Sequence, residues 1–363
     1  MRSSWLVFSI GAACGTPAKL ARQPPQQRVH VETFAELAVG PGNIATTPDG
    51  RVFVSLHQFY NPEYAVVELR GGAVVPFPDD AHAKAAALDS VLGIRADSRG
   101  VVWMLDNAMR RGGTRKIVAW NPTLNALDRT IDLAAVTPPD AFLNDLAVDR
   151  TSEAVYVADP AGGANAALIV VDLVTGTSRR VLEGHVSVIP EPRDLVVDGE
   201  PVRVKLPDGT IVRPHVGVNP IALDANDEWL YFGPMHAAML YRVRTRDLRD
   251  TALAPEALAA RVEAYAERPI TDGISIDRAG NIYLGDLANN AIGMIDAKRR
   301  YRQIANGPEM SWIDAFSFGA DGYFYVVANQ LHHAAFLNAG SDTTKPPYRI
   351  LRFRPFAPGR VGR

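Results

Sequence analysis

Polar and apolar positions along the chain repeat as one unit: a short apolar segment, a tight polar turn, then an apolar triplet centred on an aromatic residue. The triplet occurs six times, as Val52-Phe53-Val54, Val102-Trp103-Met104, Val155-Tyr156-Val157, Leu230-Tyr231-Phe232, Ile282-Tyr283-Leu284 and Phe324-Tyr325-Val326. The central aromatics stand 50, 53, 75, 52 and 42 residues apart. Turn formers such as Pro48-Asp49-Gly50, Ser98-Arg99-Gly100 and Ala320-Asp321-Gly322 precede the triplets, which is a hairpin signature. A third strand is predicted after each hairpin, at Tyr64–Leu69, Lys116–Trp120, Ala167–Leu173, Met239–Val243, Ala291–Ile295 and Tyr348–Phe353. A fourth can be read in some units, at Thr130–Leu133 and Tyr301–Ala305. Four strands per unit, six times over, predict an all-β, six-bladed β-propeller, in which stacked blades bury faces that no single hairpin could.

The last unit lacks a fourth strand, and Val29–Phe34 reads as a strand without a partner. We expect this strand to complete the last blade and close the ring, because an open ring leaves sheet edges unpaired. The 75-residue spacing marks an insertion, predicted as a hairpin excursion at residues 176–217 within a single propeller spanning 29–357. The Ala-rich stretch 251–268 has helical periodicity and is expected to form a surface helix.

Tight turns place the residues before each first strand and after each second strand at the same end of the ring. The entry set is Asn43, Asn144, Asp145, Asn219, Asp272 and Asp314; the exit set is His57, Asp106, Asn107, Asp159, His236, Asp286 and Asn329. Such a mouth, almost without basic residues, suits a cation or a small polar molecule. The opposite mouth takes the hairpin turns, read as turn formers only. His57 and His236 are candidate general bases, alongside Asp145 and Asp272. His332 and His333 follow the sixth exit loop, and Phe59 and Tyr60 offer an apolar wall. There is no Gly-x-Ser-x-Gly elbow, HExxH motif or Gly-rich phosphate loop.

The chain has 363 residues and a formal net charge of −2, which argues against a general nucleic-acid partner. Arg2, the apolar run Trp5–Ile10 and the small residues before Cys14 read as an export signal within residues 1–21, followed by a Pro- and Gln-rich linker at 22–28. Cys14 could be lipidated, although Gly11 departs from that pattern; ordinary cleavage near Ala18 or Ala21 is the alternative. The expectation is a secreted or periplasmic monomer, or a lipid-anchored one, with no transmembrane segment. As the only cysteine, Cys14 leaves no internal disulfide.

Leu143–Pro160, Ala167–Leu173, Asn219–Tyr241, Thr271–Ile292 and Trp312–His332 together resemble the yellow / major royal jelly protein family, in its bacterial branch. That resemblance implies a secreted six-bladed propeller. It is compatible with dopachrome-type isomerisation or with binding of small amines in the channel. More distantly the chain resembles gluconolactonase propellers, which hold a divalent metal on the axis. Asn219 and Asp272 fall where that family has metal ligands, and Asn144 where it has a polar pocket residue. Gly42-Asn43 stands where a metal-binding Glu is expected. Three functions stay open: a binder, and possible isomerase, of a small polar or aromatic ligand; a lactone hydrolase using a Ca²⁺-like ion, the one cofactor the pattern raises; and a non-enzymatic scaffold.

Overall fold

The computed structural model describes residues 28–80 and 88–363. Six four-stranded antiparallel sheets form a closed ring. Their inner strands are Pro41–Thr46, Val91–Ala96, Asp145–Asp149, Val218–Leu223, Ile274–Ile276 and Ile313–Phe318, and each contacts the inner strands of both neighbouring blades. The predicted closure is present. Val31–Leu37 pairs antiparallel with Tyr348–Phe353, from Val31 opposite Phe353 to Leu37 opposite Tyr348, and is the outermost strand of blade 6.

The repeating triplet forms the second strand of each blade, buried on both faces because another blade packs on either side. Six of the hydrophobic cores lie one between each pair of adjacent blades. Phe53, Trp103, Tyr156 and Tyr283 are fully buried there. The turns do more than reverse the chain. The Asp97 carboxylate accepts from Trp103 Nε1 at 3.1 Å, Asp277 from the Tyr283 hydroxyl at 3.0 Å and Asp321 from that of Tyr325 at 2.8 Å. In these blades the turn aspartate therefore holds the polar tip of the central aromatic, which a buried Trp or Tyr requires.

Two expectations are corrected. Residues 251–268 do not form one helix: only Pro255–Ala259 is helical, and Glu263–Glu267 is the outer strand of blade 4. That strand pairs with Met239–Arg244, so an unfilled sheet edge prevailed over helix propensity. The predicted excursion begins too early, since Ser178–Val181 is the outer strand of blade 3. The two short hairpins within the insertion, Val196–Val197 with Glu200–Pro201 and Val204–Lys205 with Ile211–Val212, lie over the mouth where the inner strands begin.

Residues 358–363 cross the opposite mouth. Gly362 exchanges backbone hydrogen bonds with Ala96 of blade 2 and Phe318 of blade 6, and Arg363 donates to the Val148 and Asp224 carbonyls of blades 3 and 4. Asp227, almost fully buried, receives both Arg360 and Arg363. The export signal, Cys14 and the linker up to residue 27 lie outside the described residues. Among the described residues, no helix is long and apolar enough to cross a membrane.

Candidate functional site

A cavity of about 580 Å³ opens at the mouth where the inner strands start. Asn43, Asn219, Asp272 and Asp314 form its floor, each from the first turn or first residues of an inner strand. The exit loops supply His57, His236 and Phe59 to its walls, and the insertion closes over it with Leu195, Val202 and Val216. Asn144 also lines it.

The floor is acidic and tightly bonded. Asp272 Oδ1 accepts from Asn219 Nδ2 at 2.5 Å and Oδ2 from Trp312 Nε1 at 2.7 Å. Asp314 Oδ2 accepts from Asn329 Nδ2 at 2.6 Å. Gly273 brings the two aspartates together, because a Cβ there would overlap the Asp314 carbonyl oxygen. Only a residue without a side chain allows blades 5 and 6 to approach this closely. Burial pushes the Asp272 carboxyl up to about 6, and pushes Asp314 well above its ordinary range, with the Asp272 and Asp145 charges adding to the effect.

One layer deeper, the buried Arg95 guanidinium bridges the two blades that flank its own. It donates to Asn43 Oδ1 at 2.6 Å and to Asp145 Oδ2 at 2.7 Å. Asp145 is itself raised by burial, with Arg95 opposing. Of the three buried carboxylates only Asp145 is paired with the guanidinium, so a proton or a cationic group is favoured in the space above Asp272 and Asp314.

The two wall histidines are donors. His57 Nδ1 accepts the Phe59 backbone N–H at 3.2 Å, and His236 Nδ1 accepts that of Val216 at 3.1 Å. Each ring therefore carries its proton on Nε2. Burial lowers His57 to about 3 and His236 to about 4, so both are neutral at neutral pH. This tautomer does not fit the general-base role expected of them. His236 Nε2 is buried, lines the cavity and has no acceptor among the described residues. Arg268 fixes this loop by donating to the Met235 and Ala237 carbonyls at 3.4 and 3.2 Å.

The remaining expected residues are buried latches away from the cavity lining. Asp106 accepts the backbone N–H groups of Asp89, Ser90 and Ala108, and Asn107 bonds Ser90 Oγ. Asp159 accepts from the Phe142 and Ala161 backbones and from Arg180 at 2.5 Å. Asp286 accepts from Asn289, Tyr301 and Gln303. Asn329 acts on the site through Asp314, and Asp145 through Arg95. Tyr60 turns away from the cavity to donate to the Asn329 carbonyl at 2.5 Å, while Phe59 stacks on Phe336 with ring centres 4.0 Å apart.

Asn219 and Asp272, the pair expected to hold a divalent ion, are bonded to each other, and Trp312 takes the second Asp272 oxygen. Arg95 already brings a positive charge to the axis, and Asn43 replaces the expected carboxylate. The axial donor set therefore does not fit a resident divalent cation, which needs several oxygens turned towards one point.

Sequence reasoning missed Arg95, Trp312 and Phe336. A signal for Arg95 was present: the entry set had no member from the second blade, whose inner strand carries this one cationic residue. Trp312 lies two residues before Asp314, but only the folded ring shows that its indole faces Asp272.

The family model for major royal jelly proteins matches residues 89–354. No curated protein sequence matches the chain. Among solved structures, a gluconolactonase from Xanthomonas campestris is similar at 12% identity and a TM-score of 0.57, covering 90% of this chain and 89% of that one. A luciferin-regenerating enzyme is similar at 12% identity and a TM-score of 0.56, covering 92% and 98%. The calcium-binding protein regucalcin from Agrobacterium tumefaciens is similar at 12% identity and a TM-score of 0.55, covering 93% and 97%. At these identities the likeness concerns the fold.

Proposed function

The chain belongs to the major royal jelly protein family, and on that premise we propose that its cavity binds a small aromatic molecule carrying a cationic or proton-donating head group. The observation that carries this reading is the pairing of an aromatic and aliphatic wall with a floor of buried carboxylates in excess of their cations. The aromatic body packs against Phe59, Trp312 and Phe336, and the head group reaches Asp272 and Asp314. His57 and His236 offer Nε2–H donors to an oxygen on the same ligand.

These groups also equip the site for a tautomerase-type proton transfer. Two aspartates with raised proton affinity can hold one proton between them, so that one removes a carbon-bound proton while the other remains an acid. A histidine N–H can polarise the carbonyl towards which the electrons move. We place this activity outside the cytoplasm, in keeping with the leader read in residues 1–21.

Calorimetric titration with dopamine and with neutral catechol tests the reading. Saturable dopamine binding is expected, weaker by about tenfold or more for catechol and for the Asp272→Asn and Asp314→Asn variants. Equal affinity for the two compounds, or binding indifferent to both substitutions, would sink it.

A further inference from the structure

Beside the cavity, a second cluster joins the insertion to blade 6. Asp198, His332 and His333 each offer a ligand atom, all within 4.8 Å of one another. Asp198 sits in the turn of the first inserted hairpin, between Val196–Val197 and Glu200–Pro201, and the histidines lie in the short helical turn Leu331–His333 after the second strand of blade 6.

His332 is the telling member. Its side chain is only 6% exposed, and neither ring nitrogen has a hydrogen-bond partner among the described residues. A neutral imidazole has one donor and one acceptor, and leaving both unmet in a buried site is unfavourable. The ring is held by stacking on Trp312, with planes 14° apart and centres 5.8 Å apart. Its Nε2 faces Asp198 Oδ2 at 3.6 Å, too far for a hydrogen bond. The neighbouring His333 ring centre is 4.0 Å away. Asn290 Nδ2 donates to Asp198 Oδ1 at 2.7 Å and leaves Oδ2 turned towards the histidines, the kind of outer support that orients metal-bound carboxylates. His333 bonds Thr343 Oγ1 through Nδ1, so its Nε2 remains available.

We propose that Asp198, His332 and His333 bind a first-row transition-metal dication of the Zn²⁺ class, tying the inserted hairpin to blade 6. Two imidazoles and one carboxylate suit Zn²⁺, Co²⁺ or Ni²⁺ better than Ca²⁺, which prefers an all-oxygen shell. The half-exposed Asp198 and the surface-facing His333 can close on the ion while the stacked His332 stays in place. Water completes the coordination, since the hairpin lies at the surface. A bound ion would hold the cavity roof against the loop behind Trp312, whose indole bonds Asp272 on the floor.

Zn²⁺ titration of the tag-free, chelator-treated full chain by calorimetry, with Co²⁺ absorption as a second readout, tests the site. One Zn²⁺ per chain is expected, with a raised melting temperature and visible Co²⁺ bands of a low-coordinate site. His332→Phe keeps the stacked ring and removes the nitrogens; it should abolish stoichiometric binding while the metal-free variant melts no lower than the parent. Asp198→Asn keeps the bond to Asn290 and should weaken binding by about tenfold or more. Undiminished binding in His332→Phe overturns the site. So does loss of binding in Asp272→Asn with Asp198 and both histidines intact, which would put the ion on the axis. Absence of saturable binding at millimolar Zn²⁺ also overturns it.

Discussion

The Trp312 indole N–H donates to Asp272 Oδ2 across 2.7 Å, with both side chains buried. That bond lowers the Asp272 proton affinity against the burial that raises it. Trp312→Phe keeps an aromatic wall and removes the donor. A hydrogen bond to a charged group contributes about 1.5–3 kcal/mol, which corresponds to roughly one to two pH units. The pH midpoint of ligand binding should therefore move upward from near 6, as read by calorimetry over pH 5–8. An unmoved midpoint would show that the indole is only packing.

Arg95 should behave as a structural keystone. Arg95→Met leaves Asp145 charged and buried without its partner, a change that costs about 3–5 kcal/mol in comparable buried pairs. Urea unfolding should show that loss. Adding Asp145→Asn should recover much of it, because the stranded charge is then gone. If the double variant is as unstable as the single one, the guanidinium stabilises through its bond to Asn43 or through packing.

The buried histidines set the acid limit of the fold. An unfolded histidine takes up a proton near 6.5, whereas His57 does so in the fold only near 3 and His236 near 4. Between those values the unfolded chain holds more protons, so stability rises with pH and is fully present above about 6.5. Asp272 acts in the opposite sense: the fold keeps its proton up to about 6, and that contribution is lost as pH rises from about 4 to 6. Asp314 and Asp145, also raised by burial, act in the same sense as Asp272, so thermal melts from pH 4 to 8 read the histidine contribution as the difference between parent and variant. His57→Asn keeps an acceptor for the Phe59 N–H and should flatten the acid side of the profile; a parallel curve would contradict the assignment.

Closure by the outer strand of blade 6 can be tested by deletion. Removing residues 29–37 exposes the edge of Tyr348–Phe353 and strips one side of the core around Tyr325. The single unfolding transition should broaden or split, and aggregation should increase. An unchanged, sharp melt would mean that the contacts of residues 358–363 with the inner strands suffice to hold the ring.

The blade count, the closing strand and the mouth bearing the polar groups were legible because each follows from local periodicity and hairpin geometry. The entry and exit residues were harder to separate. Asn219, Asp272 and Asp314 look in sequence much like Asp106, Asp159 and Asp286. The first three stand at inner-strand starts that face the channel. The others stand where the second strand ends, with backbone N–H groups and side-chain donors at hand to bind them in place. Nor could the sequence show that Gly273 would press blade 5 against blade 6, or that His57 and His236 would each lose Nδ1 to the main chain. Those depend on contacts between segments far apart in the chain, which no local pattern encodes. The helix expected over 251–268 failed for the same reason, since the waiting edge of blade 4 was not visible in its composition.

Arg95 and the crossing segment 358–363 have a further consequence for anything that occupies the cavity. Between them lies a gap of only about 20 Å³, lined by Arg95, Val148, Leu223 and Arg363 among others. The central channel is therefore a cul-de-sac rather than a tunnel. On the proposed function, a guest enters and departs by the same door, beneath the inserted hairpins, and goes in head first. Chemical variety should be tolerated at the end of the guest that trails towards solvent. The end that arrives at Asp272 and Asp314 meets a wall that does not give way, so selectivity concentrates in those leading atoms.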